Sequence, residues 1–128
     1  MAAPTRPFRD YFSSPVRVGA LAGAQQTGEA ENQVCGDWVR FHLRREGTRI
    51  LEASVQIRGC SAVIACASLT AEALEGLEVE QARALDIASM ATAAGARPRD
   101  LAHAPSVVAR ALESALASTG FDCQADTE

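Results

Sequence analysis

Two runs of strictly alternating residues, joined by a short turn, constrain this chain more than any other feature. In residues 38–44, apolar Val39, Phe41 and Leu43 alternate with polar side chains, and residues 51–58 repeat the pattern. A period of two is typical of a strand with one buried face. The turn residues at 46–48 include a glycine. The sequence therefore predicts an antiparallel hairpin, with strands near 37–45 and 49–58.

The hydrophobic period becomes helical directly after this hairpin. Apolar residues recur at three- and four-residue steps from Ala62 onward, and two further helical stretches follow. We predict helices near 60–75, 79–94 and 105–118, and the second of these has room for a break within it. A hairpin followed by helices favours an α+β fold, with a small antiparallel sheet packed against several helices, over an α/β fold.

The segment before the hairpin carries little periodic signal. Its glycines and the polar run around Gln25 predict a loop up to about residue 32, after a short helical turn near residues 8–12. With 128 residues, the chain is expected to form one domain with its core over about 8–118. A domain of this size can bury a core without disulfides.

Charge and hydropathy exclude several functional classes. Twelve basic against sixteen acidic residues give a net charge of −4, whereas proteins that bind the nucleic-acid backbone carry a basic surface. No stretch approaches the roughly 20 apolar residues of a membrane span, and the N-terminus lacks a signal-peptide core. We therefore expect a cytoplasmic protein with reduced thiols and neither a nucleic-acid nor a membrane partner.

Two of the four cysteines lie at junctions between predicted elements. Cys35 precedes the first strand of the hairpin, two residues before Asp37, and Cys60 lies between the second strand and the first long helix. The ends of a hairpin can meet in space although these positions are 25 apart. Exposed N–H groups at a helix N-terminus also favour a thiolate. Two sulfurs and a carboxylate form a candidate iron or zinc site.

Several segments, taken in order, resemble the IscU/NifU N-terminal scaffold family over about residues 8–118. They are Phe12-Ser13-Ser14-Pro15-Val16-Arg17-Val18-Gly19, which is similar to the family's Tyr-x-Asn-Pro-x-x-Val-Gly, then Cys35-Gly36-Asp37-Trp38-Val39-Arg40-Phe41-His42-Leu43, Gly59-Cys60-Ser61-Ala62-Val63-Ile64-Ala65, Asp86-Ile87-Ala88 and Ser106-Val107-Val108-Ala109.

The resemblance implies a small sheet packed on helices and a role without catalytic turnover. Family members assemble iron–sulfur clusters on three cysteines and an aspartate and pass them to apo-proteins. Carried over to this chain, the ligands would be Cys35, Asp37 and Cys60. The carboxylate would keep the bound iron or cluster labile. The implied partners are a cysteine desulfurase, an iron donor and recipient apo-proteins. A homodimer formed on cluster binding is a separate hypothesis, in which the cluster bridges two chains.

The third family cysteine is missing. The family places His-Cys before the serine of its last helix, and alignment on Ser106 puts Ala104 and Pro105 at those positions. His103 is the nearest substitute ligand. The family's chaperone-recognition segment, Leu-Pro-Pro-Val-Lys, is also not recognisable in residues 97–101. Two alternatives therefore remain: a zinc-dependent sulfur-transfer partner of a cysteine desulfurase, and a metal-free regulatory or interaction relative.

The other cysteines, His42 and the sheet arginines are more simply explained by packing, position or solvation than by a role in the site. Cys66 falls on the apolar helical stripe, so we predict that it packs in the core. Cys123 follows the last helix, about 20 Å from that helix's start, too far from the site unless the tail folds back or a second chain contributes. His42 is predicted to face solvent. The arginines at 40, 44, 45, 49 and 58 form either a basic face for a negatively charged partner or a solvated sheet surface.

Overall fold

A three-stranded antiparallel sheet in the order β1-β2-β3 forms one layer of the molecule. The computed structural model describes residues 4–33 and 36–118. Strand β1 spans Gln26–Asn32, β2 spans Asp37–Glu46 and β3 spans Arg49–Arg58. The hairpin predicted from alternation is thus confirmed, and it pairs Trp38 with Arg58 at the end remote from its turn.

Strand β1 corrects the prediction of a loop up to about residue 32. It pairs along its whole length with β2, from Gln26 opposite Leu43 to Asn32 opposite Asp37. Its inward positions include Gly28, where an added Cβ would overlap the Ala115 backbone. A glycine is therefore needed for the last helix to approach this closely, and the strand lacks the β-branched residues that make strands recognisable.

Helices form the second layer. They are α1 (Phe8–Ser13), α2 (Ser61–Leu74), α3 (Val79–Arg83), α4 (Ile87–Ala93) and α5 (Ala104–Ala117), with a 3₁₀ turn at Pro98–Leu101. The predicted helices 60–75 and 105–118 are confirmed within a residue or two. The predicted helix 79–94 is two helices, because Asp86 starts a new one by accepting a hydrogen bond from the Ser89 N–H at 3.0 Å. This bond lowers the pKa of Asp86.

One hydrophobic core lies between the sheet and the two long helices, α2 and α5. Its fully buried side chains include Phe41 and Val55 from the sheet, Leu69 from α2 and Val108 from α5. This arrangement is the predicted α+β fold, with a small antiparallel sheet packed against helices. Within the described residues, no helix is long and apolar enough to span a membrane.

The outer face of the sheet is partly covered, which makes the prediction for His42 wrong. Val18 pairs with the free edge of β3, and Gln25 donates to the Leu43 carbonyl at 2.9 Å on β2, so the intervening segment crosses the sheet. His42 is only 8% exposed and its Nε2 lies 2.7 Å from Gln56 Oε1. Strand alternation located its face correctly but could not predict a covering segment.

Three of the five arginines of the sheet have acidic partners at the surface. Arg40 pairs with Glu29 at 3.1 Å, and Arg44 pairs with Glu52 at 2.6 Å. Arg49 pairs with Glu78 at 3.3 Å in the same way. These three pairs offset most of the charge of the row, which favours the solvated sheet surface over a basic docking face.

Candidate functional site

The start of β2 and the start of α2 meet at one end of the sheet. Because Trp38 pairs with Arg58, the preceding residue Asp37 lies across from Gly59. Asp37 Oδ1 accepts a hydrogen bond from the backbone N–H of Cys60 at 3.1 Å. The pairing register of the hairpin thus brings together two predicted site residues that are 23 positions apart in the sequence.

The Asp37 carboxylate is buried and only half satisfied. The residue is 1% exposed, and its Oδ2 atom has no hydrogen-bond partner among the described residues. A buried carboxylate oxygen without a partner is costly, so such an atom needs a functional or structural explanation. A bound metal ion could take up the free lone pairs of this oxygen. Sequence reasoning chose this aspartate but did not predict its burial.

Gly59 is the residue that makes this close approach possible. An added Cβ would overlap Asp37 Oδ1 and would lie 3.0 Å from Asp37 Cγ. No larger residue fits there without moving the carboxylate. A glycine directly before a cysteine, at a strand-to-helix junction, was the sequence signal for this packing.

Cys60 presents its thiol at the N-cap of α2. It has extended backbone angles, its side chain makes no capping hydrogen bond, and it is exposed. Its carbonyl accepts the Ile64 N–H at 3.1 Å, which starts the 14-residue helix. The sulfur is therefore accessible to metal or to an incoming sulfur atom.

The structure describes only one of the other two predicted ligands. Cys35 lies outside the described residues, while its neighbour Gly36 is exposed and donates to the Asn32 carbonyl at 2.7 Å. His103 is the exposed N-cap of α5. Within residues 4–33 and 36–118, no three His, Cys, Asp or Glu side chains are placed to hold a metal ion.

The positions aligned with the family's third ligand supply no donor atom. Ala104 is buried and Pro105 is half-buried in the first turn of α5. Both side chains are hydrocarbons, so neither can bind a metal. Any third ligand must therefore come from elsewhere.

Cys66 is separated from the site by burial, as predicted. It is fully buried in α2. Burial, reinforced by the charge of Asp100 and by Cys60, raises the pKa of the Cys66 thiol to about 12. A thiol that stays neutral at physiological pH is a poor metal ligand and a poor nucleophile. Cys123 lies outside the described residues.

An ion held at Asp37 and Cys60 would not be enclosed by the protein, because the Cys60 residue is exposed. An accessible sulfur, beside a carboxylate oxygen that lacks a partner, offers one soft and one hard ligand. An open site with few protein ligands suits a cargo that is handed on more than it suits a permanent structural metal, whose site is closed by four protein ligands.

Comparison with known proteins agrees with this architecture. The family model for the NifU-like N terminal domain matches residues 5–120. The iron-sulfur cluster assembly scaffold protein IscU 1 of Archaeoglobus fulgidus is 32% identical over 107 residues, which cover 84% of this chain and 70% of that protein. The zinc-dependent sulfurtransferase SufU of Bacillus subtilis is 29% identical over 73 residues, which cover 57% of this chain and 49% of that protein.

A solved structure shows the same fold. The crystal structure of FiSufU from Fervidobacterium islandicum, described as an iron-sulfur cluster assembly scaffold protein for the SUF system, superposes with a TM-score of 0.69. The superposition covers 85% of this chain and 93% of that one at 20% identity. The family model covers nearly the whole chain, and the IscU relative exceeds 30% identity. The chain belongs to the NifU-like N-terminal domain family.

Proposed function

We propose that this protein is an iron–sulfur cluster assembly scaffold, which holds iron or a cluster and transfers it to apo-proteins. The observation that carries the proposal is the buried Asp37 carboxylate, fixed by the N–H of exposed Cys60, with its second oxygen unpartnered. Membership of the NifU-like family supports the same function.

In this proposal Cys35, Asp37 and Cys60 bind the cargo. The thiolates would bind ferrous iron strongly, and the iron would in turn bind sulfide, because soft sulfur ligands suit iron–sulfur chemistry. The Asp37 carboxylate is a harder ligand, so it weakens the site and favours release. His103 is a further candidate ligand, which would have to approach from the start of α5.

The proposed role involves binding and transfer without catalytic turnover. Sulfur would arrive from a cysteine desulfurase, iron from an iron donor, and the cluster would leave to recipient apo-proteins. We place this activity in the cytoplasm, because the exposed Cys60 thiol must stay reduced. A homodimer formed on cluster binding could supply ligands from a second copy.

A second candidate is zinc-dependent sulfur transfer. In that case a zinc ion would be bound by the Cys35 and Cys60 thiolates. One of these thiolates would accept the outer persulfide sulfur from a desulfurase, whose cysteine would leave as a thiol. Two observations favour it: the similarity to SufU of Bacillus subtilis and the hydrocarbon side chains at Ala104 and Pro105. A metal-free regulatory relative is the third reading.

Anaerobic reconstitution separates these readings. The full-length protein is incubated with ferrous iron and sulfide, and its visible absorption is followed before and after an apo-ferredoxin is added. A scaffold develops a cluster chromophore that moves to the ferredoxin. A parallel incubation with zinc is analysed for bound metal. Tight zinc binding without a cluster chromophore would instead indicate sulfur transfer, and binding of neither metal would indicate the regulatory relative.

A further inference from the structure

A cleft opens beside the candidate site, between α1, the start of α2 and the residues that follow α4. Its volume of about 580 Å³ lies within the range of small-molecule sites, about 300–1,000 Å³. Ser61, the residue next to Cys60, is part of its wall. The cleft therefore begins one residue from the accessible sulfur.

The lining of this cleft combines aromatic side chains with a positive balance of charge. Phe8 and Phe12 contribute apolar surface, and Phe12 is 48% exposed. The charged lining residues are Arg9, Arg97 and Asp100. Two guanidinium groups against one carboxylate leave a positive balance, in a chain whose net charge is −4.

Both arginines have N–H donors that are not used by acceptors in the described part of the chain. Arg9 is exposed and forms no ion pair within the described part of the chain. Arg97 Nε lies 3.7 Å from Asp100 Oδ2, a long contact that leaves most of the Arg97 donors free. Guanidinium groups bind carboxylates through paired hydrogen bonds, so the cleft fits a ligand that carries carboxylate groups.

We infer that this cleft binds a low-molecular-weight thiol with carboxylate groups, whose sulfur supplies the metal ligand that Ala104 and Pro105 cannot. The assignment of the sulfur rests on the proposed function, because the thiol would complete the ligand set of the same cargo. A tripeptide-sized thiol spans about 10 Å. Anchored at Arg9 and Arg97, such a molecule can present its sulfur beside Cys60, one residue beyond the wall at Ser61.

Binding is tested on the metal-free, reduced, full-length protein, so the result does not depend on cluster assembly. The probe is S-methylglutathione, which keeps both carboxylates but cannot form a disulfide, and binding is followed by NMR titration. We expect saturable shifts at Phe12 and Ser61. Arg9→Gln should weaken binding about fivefold or more, because a charge-assisted hydrogen bond is lost.

Two matched controls define specificity. Arg83→Gln removes another exposed arginine, which makes only a 3.9 Å contact with Glu80 on α3, and should leave binding unchanged. The dimethyl ester of S-methylglutathione lacks carboxylates and should bind at least about fivefold more weakly. Equal binding of the ester, unchanged binding in both Arg9→Gln and Arg97→Gln, or no saturable binding would overturn the inference.

A second measurement tests the role of the sulfur. The protein is reconstituted with iron and sulfide in glutathione or in the neutral thiol 2-mercaptoethanol, and the lifetime of the chromophore is compared. We expect a lifetime about fivefold longer in glutathione, and no such difference in Arg9→Gln. Equal lifetimes would leave the scaffold function standing and overturn the thiol ligand. No chromophore in either thiol would overturn both, while the titration still decides whether the cleft binds carboxylates.

Discussion

Asp37 Oδ1 accepts the backbone N–H of Cys60 at 3.1 Å, so the first residue of β2 and the N-cap of α2 are held together at one end of the sheet. The bond fixes the direction of the carboxylate without using the cysteine sulfur. The second oxygen of the carboxylate, Asp37 Oδ2, is buried and has no hydrogen-bond partner among the described residues. The fold thus orients a carboxylate and leaves an adjacent thiol accessible.

Gly59→Ala tests the packing of this carboxylate without removing a ligand. The new Cβ would overlap Asp37 Oδ1, so Asp37 must move. We expect the free energy of unfolding to fall by about 2 kcal/mol, as for other overpacked sites, and iron retention after reconstitution to fall several-fold. Urea denaturation and iron analysis after gel filtration measure the two effects.

Gly76→Ala is the matched control for that variant. Both glycines have a positive φ, +157° at Gly59 and +90° at Gly76, but an added Cβ at Gly76 meets nothing within 4 Å. The control should cost about 1 kcal/mol of backbone strain and leave iron retention unchanged. Equal iron retention in Gly59→Ala and wild type would show that the position of Asp37 does not matter for cargo.

The raised pKa of the buried Cys66 thiol predicts that the folded protein loses stability at alkaline pH. Its pKa is raised by burial from the ordinary value of 9.0 to about 12. Below pH 9 the thiol is neutral in both states. Between pH 9 and 12 only the unfolded chain ionises, so this group lowers the free energy of unfolding by up to about 1.4 kcal/mol per pH unit.

Cys66→Ala isolates this effect. The variant loses a small buried group and is expected to be less stable by about 1 kcal/mol at pH 7. Its free energy of unfolding should then fall less steeply than that of wild type above pH 9. Parallel curves for the two proteins, from urea denaturation at several pH values, would mean that Cys66 ionises normally in the folded state.

Gly28→Ala tests the contact between β1 and α5. The added methyl would lie 2.5 Å from Ala115 Cα, so the helix and strand must separate. We expect a loss of about 2–3 kcal/mol in the free energy of unfolding. Glu29→Ala on the same strand removes only an exposed ion pair with Arg40 and should cost less than about 1 kcal/mol. Similar losses in the two variants would contradict the close contact.

Local sequence patterns predicted the elements that have strong patterns of their own. The hairpin and the two long helices follow from hydrophobic periods of two and 3.6, and they are found where expected. Strand β1 could not be recognised, because its inward positions include Gln26 and Gly28. Those residues are explained by the approach of α5, a contact between distant parts of the chain.

The candidate site was predictable in outline but not in its details. Hairpin pairing and the strand-to-helix junction predicted that Cys35 and Cys60 would meet, with Asp37 on the same side as Cys35. Cys35 lies outside the described residues, whereas Asp37 accepts the N–H of Cys60. Burial of the carboxylate depends on the backbone of Gly59, which no periodic pattern encodes. The burial of His42 likewise required the crossing segment between Val18 and Gln25.

The most direct test of the central claim compares iron and sulfide bound after anaerobic reconstitution of wild type, Cys60→Ser and Cys66→Ala. Cys60 is accessible beside Asp37, whereas Cys66 is buried and neutral at physiological pH. We predict that Cys60→Ser loses most of the bound iron and the visible chromophore, while Cys66→Ala retains both. Loss in Cys66→Ala with retention in Cys60→Ser would contradict the assignment of the site.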